Sequence, residues 1–181
     1  MKHENKGSIL VLVLLLTSVI ISTSTVLLST TVMNYKMKNI NSRVKKTFYN
    51  AEGAIDEAYV IVLNYIESAI EYSYTKDNSK ANYTEFLLSK CEDSKGNKGL
   101  ANILKDRSNY LIYNDNNISI EANIYSKTDF LVLDIKSTCI DDKIEKKINM
   151  IYHILIPKDG CYDYTINPED LIYIYDWKLE R

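Results

Sequence analysis

Residues 8–35 contain no Asp, Glu, Lys, Arg or His, 28 positions in a row. As an α-helix, at about 1.5 Å per residue, this run would span about 42 Å, more than the ~30 Å hydrocarbon core of a bilayer. Residues 9–16 are aliphatic throughout, and no proline interrupts the run. Its second half carries Ser22, Thr23, Ser24, Thr25, Ser29, Thr30 and Thr31, whose hydroxyls can bond back to helical carbonyls. Two ordinary readings compete. A secretory signal peptide would use Lys2 and Lys6 as its basic start, but the run is long and lacks an A-x-A-like ending. A single-pass anchor fits the length. The five cations just after the run (Lys36, Lys38, Arg43, Lys45, Lys46) outnumber the two Lys before it, which favours a cytoplasmic C-terminus. The strands and cysteines further on suit an exported domain instead.

Past the uncharged run the apolar residues become one-sided. Ile40, Val44, Phe48, Ala51, Ile55, Tyr59, Val62, Ile66 and Ala69 recur in steps of 4, 4, 3, 4, 4, 3, 4 and 3. That is the period of an amphipathic helix. The spacing predicts one unbroken helix from the membrane run to about Tyr72, with a polar loop over residues 73–82. Charge on it is segregated. Residues 36–51 carry five bases and no acid, whereas residues 52–72 carry Glu52, Asp56, Glu57, Glu67 and Glu71 and no base. The plain reading is two solvated faces. The sharper one is an inter-subunit code, in which Lys36, Lys38, Arg43, Lys45 and Lys46 of one helix meet Glu52, Asp56 and Glu57 of a staggered neighbour.

After a polar, partly helical stretch over residues 83–106 the period switches to two. Ile118, Ile120, Ala122 and Ile124 alternate with polar residues. A second strand over residues 130–139 presents Leu131, Leu133 and Ile135 on one face. A third over residues 143–156 presents Ile144, Ile148, Met150, Tyr152, Ile154 and Ile156. Residues 110–113 read as a strand before them. Asp115-Asn116-Asn117, residues 126–129 and Asp141-Asp142 are hairpin-length turns, so the strands form an antiparallel meander. The helix stripe from Phe48 to Ala69 is the cover its apolar face requires. In the tail, strict alternation puts Leu171, Tyr173, Tyr175 and Trp177 on one face and Ile172, Ile174 and Asp176 on the other. The fold class is therefore α+β, a long N-terminal helix, transmembrane and then amphipathic, packed on a small antiparallel sheet. Its parts are a leader (1–7), a membrane or filament-core helix (8–35), the amphipathic continuation (36–72) and an exported sheet domain (73–181).

The chain offers little for catalysis. The formal charge is −2 and the pI about 5.7, which argue against a nucleic-acid partner. Five Gly and two Pro leave no glycine-rich phosphate cradle, and His3 and His153 are the only histidines. No nucleophile pattern accompanies His153. Cys91, Cys139 and Cys161 show no C-x-x-C spacing, so no zinc or redox site is expected. One internal disulfide is allowed, with Cys139–Cys161 the preferred pairing and free thiols the alternative. The Asp/Asn-rich turns follow no twelve-residue calcium loop. No enzymatic activity, metal or cofactor is expected.

A short polar leader ends in Lys6-Gly7 and passes abruptly into Ser8-Ile-Leu-Val-Leu-Val-Leu-Leu-Leu16, and further on stands Phe48-Tyr-Asn-Ala-Glu-Gly-Ala-Ile55. The leader resembles a class III signal, and the second segment is similar to the A-x-x-A-E-x-A-L element of type IV pilin-like proteins. Over its first third the chain thus resembles the type IV pilin-like family, most closely PilX-type minor pilins. The resemblance implies cleavage by prepilin peptidase between Gly7 and Ser8, N-methylation of Ser8, storage in the cytoplasmic membrane, and extraction by a membrane assembly platform. The product would be a pilus or a related secretion or competence filament of other pilin-like subunits, bundled through their N-terminal helices. Two positions depart from the major pilins. Ser8 stands where they begin with Phe, and Leu12 where they carry Glu. The missing carboxylate would leave a neighbour's amine unpaired in a filament body, so Leu12 favours a tip or initiating subunit. The alternative is a single-pass, membrane-anchored exported binding or sensor domain that is never cleaved after Gly7.

Overall fold

The computed structural model describes residues 4–77, 79–89, 99–111, 116–163 and 165–180. Helix α1 runs from Glu4 to Thr75, followed by α2 (Lys80–Leu88), α3 (Leu100–Lys105), a 3₁₀ turn at Arg107–Asn109, and strands β1 (Ile118–Ser126), β2 (Phe130–Asp141), β3 (Ile144–Leu155) and β4 (Ile172–Glu180). The chain divides into two compact units, Met1–Arg43 and Val44–Arg181.

The first unit is the N-terminal part of α1. Every described side chain from Gly7 to Ser42 is exposed. The helix starts at Glu4, upstream of the Gly7–Ser8 junction, so that junction lies within helix rather than at its edge.

The second unit is α1 residues 44–75 packed on the sheet. The strands pair antiparallel in the order β1-β2-β3-β4, the meander that the short turns predict. The β1/β2 ladder runs from Ile118↔Cys139 to Ser126↔Leu131, and the β2/β3 ladder from Phe130↔Leu155 to Asp141↔Ile144. Asp142 takes the left-handed conformation (φ 58°) that the tight β2–β3 turn requires and that Asp tolerates better than most residues. Leu131, Leu133, Ile135, Ile148, Tyr152 and Ile154 point to one face and are buried. Ala51, Ala54, Ile55, Ala58, Val62, Ile66, Ala69 and Ile70 of α1 are 0–5 % exposed against them. Four alanines in this stripe let the helix approach closely, while each buried Val or Ile contributes roughly 1.5–3 kcal/mol. The expected stripe is buried only from its middle onward, since Ile40 is exposed.

Several boundaries differ from the sequence reading. The loop over residues 73–82 is shorter, because Ser79 caps α2 by accepting from the Asn82 N–H (3.5 Å). The Ser73 hydroxyl donates to the Ser79 carbonyl (2.7 Å), and Asp159 Oδ1 accepts from the Lys80 N–H (2.7 Å). A carboxylate from a distant loop thereby satisfies an orphan donor at the positive end of α2. No strand forms at Tyr110 or Leu111. Tyr110 turns inward and its hydroxyl donates to the Leu104 carbonyl (2.8 Å). Ile112, Tyr113, Asn114 and Asp115 lie outside the described residues, as does Cys91, and Asn116-Asn117 form a turn that leads into β1.

The tail departs most. The β3/β4 register runs Met150↔Trp177, Ile151↔Asp176 and then Tyr152↔Ile174, so Tyr175 is the extra residue of a β-bulge. The bulge cancels the strict alternation. Trp177 joins Ile172, Ile174 and Leu179 on the helix side, while Tyr173 and Tyr175 lie on the far side. Leu171 belongs to the 3₁₀ turn Pro168–Leu171.

Candidate functional site

The N-terminal half of α1 is the feature with the clearest functional bearing. It is long and apolar enough to cross a membrane, and none of its most apolar 18-residue window is buried. Leu12 is 60 % exposed, in company with Ile9, Leu10, Val11 and their neighbours. Many hydroxyls of this stretch bond back to carbonyls of the same helix. Thr17 donates to the Leu14 carbonyl, Ser22 to Ser18, Thr25 to Ile21, Thr30 to Val26 and Thr31 to Leu27, at 2.8–3.0 Å. A helix whose backbone is internally bonded, with hydroxyls that bond back to it, meets the requirement that lipid imposes. An added Cβ at Gly7 would meet nothing within 4 Å, so this position is sterically open.

The structure separates the charged residues of α1 by role. Lys36, Lys38, Lys45 and Lys46 are exposed and Arg43 is half-buried; Asp56 is exposed, Glu52 half-buried. Glu57 has an internal task that sequence reasoning missed. Its Oε1 accepts from the Leu111 N–H and fixes the chain leaving the 3₁₀ turn against α1. The groove beside it, about 530 Å³, is lined by Gly53, Asp56, Val60, Ile61 and Leu111 among others. Glu57 is therefore a structural latch here. No period in the sequence points to a contact between positions 54 residues apart.

The cysteine pairing is a correction. Cys139 is buried on β2 and Cys161 is exposed, and the two are not joined. Cys139 pairs with Lys146 close to the β2–β3 turn, whereas Cys161 follows the opposite end of β3, where the Ile156 N–H donates to the Asp129 carbonyl. Nine ladder positions separate Cys139 from Phe130, about 30 Å at ~3.3 Å per residue, against the ~6 Å between Cα atoms that a disulfide allows.

On the far face of the sheet His153 is 8 % exposed, enclosed by rings rather than by depth. Phe130 stacks on one side (centroids 4.4 Å) and Tyr175 on the other (4.2 Å, 12° between planes); Nδ1 lies 3.1 Å from the Tyr173 hydroxyl. Loss of water pushes its pKa below the ordinary 6.5, and Lys127 nearby adds to the shift. The bulge at Tyr175 brings both tyrosines to this ring. Among the described residues, no three His, Cys, Asp or Glu side chains gather as a metal-binding group.

No protein-family model matches this chain, and comparisons with curated proteins and with solved structures also find no match. The α+β layout and the membrane-competent helix therefore stand on the chain's own geometry.

Proposed function

We propose that this chain is a non-enzymatic, minor pilin-like subunit of a type IV pilus or a related secretion or competence filament. The observation that carries the reading is the division of α1. One helix offers an uncharged, wholly exposed surface over residues 8–35 and a one-sided stripe that seats a four-stranded sheet over residues 51–70. Such a helix is stable in lipid, and on leaving lipid it must bury its apolar surface against other such helices. In this reading prepilin peptidase cuts between Gly7 and Ser8, the helix waits in the cytoplasmic membrane with the sheet domain exported, and assembly transfers it to a filament. Leu12, without a carboxylate, suits a position at the filament tip.

The test is the mass of the mature N-terminal peptide from the native host. A chain beginning at N-methylated Ser8 supports the proposal. Retained residues 1–7 would replace it with an uncleaved, membrane-anchored exported binding or sensor domain. A start beyond about residue 29 would mean an ordinary signal peptide.

A further inference from the structure

The two edges of the sheet are unlike, and each supplies what the other lacks. Among the described residues, β4 makes backbone hydrogen bonds only to β3 and β1 only to β2, so each presents an outer row of N–H and C=O groups. The β4 edge projects apolar side chains on the helix side: Ile174, Trp177 and Leu179 are 57, 45 and 40 % exposed. Beside the β1 edge, on the same side of the sheet, lies a groove of about 470 Å³ between residues 122–126 and Leu88, Ala101, Asn102 and Lys105.

We propose that β4 of one copy adds antiparallel to β1 of a second copy, extending the sheet edge to edge and seating Trp177 in the groove beside β1. Side-chain chemistry selects the register. With Trp177 opposite Ala122, a large ring faces the smallest side chain of β1, Leu179 faces Ile120, and Lys178 faces Glu121. A slip of two residues in either direction places Glu180 or Asp176 opposite Glu121, acid against acid, which is unfavourable for directly opposed strand residues. A slip of one residue sets Trp177 beside Glu121 or Asn123 on the wrong face. The rival pairing of β4 with a second β4 also matches Asp176 to Lys178. It opposes one Trp177 to the other, two large rings at one position, whereas the β1 edge offers the small Ala122 and the groove beside it. The contact is heterologous, so it propagates instead of closing into a symmetric pair. It uses only the exported domain and does not depend on cleavage after Gly7.

Cysteine cross-linking of the full chain in native membranes tests it. Cys91 and Cys161 are replaced by Ser and Cys139 by Ala, and differently tagged copies carrying Lys178→Cys and Glu121→Cys are co-expressed and oxidised. Both positions are exposed, so folding is preserved. The expected product is a mixed dimer, more than about tenfold above that of the slipped pair Glu180→Cys with Glu121→Cys, because the matches Trp177–Ala122 and Leu179–Ile120, which these substitutions leave in place, hold residue 180 opposite Ser119. In a cysteine-free background read by amine cross-linking of the tagged copies, Glu121→Lys in both copies should abolish the dimer and Lys178→Glu added to one of them should restore it. A disulfide between Lys178→Cys of one copy and Asp176→Cys of another would overturn the proposal in favour of β4–β4 pairing, and no cross-link between Lys178→Cys and Glu121→Cys would overturn it outright. The same products in a Gly7→Ala chain are expected, and they keep this result separate from that of the pilus reading.

Discussion

Residues 8–35 and residues 44–75 are of similar length and belong to one helix, yet their apolar residues mean different things. In the first segment they cover every side and all are exposed; in the second they form a stripe whose members from Ala51 to Ile70 are buried, Tyr59 alone among them being half-buried. The first is matched to an environment that is apolar all round, the second to one sheet face. The two segments should therefore answer oppositely to the same substitution.

Isoleucine gives the largest contrast. Ile66→Ala empties a fully buried site beneath the sheet and should cost about 2–5 kcal/mol of folding free energy, read as a lower midpoint in urea unfolding of the detergent-solubilised chain. Ile21→Ala should leave that midpoint unchanged. The converse probe is Ile21→Arg, which should weaken membrane integration by about 3 kcal/mol on the insertion scale, read by carbonate extraction, with the sheet domain intact. An unfolding midpoint that fell equally for both alanine variants would mean that residues 8–35 have a protein partner within the chain.

The contrast was legible in the sequence because it is a matter of period, and period depends only on which solvent each side meets. The four-stranded meander was legible for the same reason, through Ile118 to Ile124 and Leu131 to Ile135. What escaped was decided by single backbone events and by distant partners. A one-residue bulge at Tyr175 moved Trp177 across the sheet, and no property of Tyr-Asp-Trp announces a bulge. Cys139 and Cys161 are close enough in sequence to suggest a bridge, but the β2/β3 register carries them apart. Glu57 read as one of five acids, and only the fold brings Leu111 to it. The α2 cap at Ser79 was readable in principle, as a serine three residues before Asn82. The lysine- and asparagine-rich surroundings concealed it.

A smaller effect follows from the far face of the sheet. The folded chain holds His153 below its ordinary pKa, so the unfolded chain binds a proton that the folded one resists. The folded state should keep its full stability above about pH 6.5 and lose some as the pH falls from there through the lowered folded value. Urea midpoints measured from pH 8 to pH 5 should show this slope, and His153→Gln should flatten it. An unchanged slope in that variant would place the sensitivity elsewhere.

The smallest effect tests the core itself. Tyr83 is fully buried against Tyr162 (ring centroids 5.4 Å), and its hydroxyl has no hydrogen-bond partner among the described residues. Burial drives its pKa far above the ordinary tyrosine value, so the group is a neutral hydroxyl held out of water at every accessible pH. An unpaired buried polar group costs about 1–3 kcal/mol, and the phenyl ring left by Tyr83→Phe retains the packing while removing that cost. Tyr83→Phe should thus raise stability by about 1 kcal/mol, with no change in membrane integration. A loss of stability instead would show that the hydroxyl is bonded in solution, to water or to a neighbouring group, and that this corner of the core is wetter than its packing indicates.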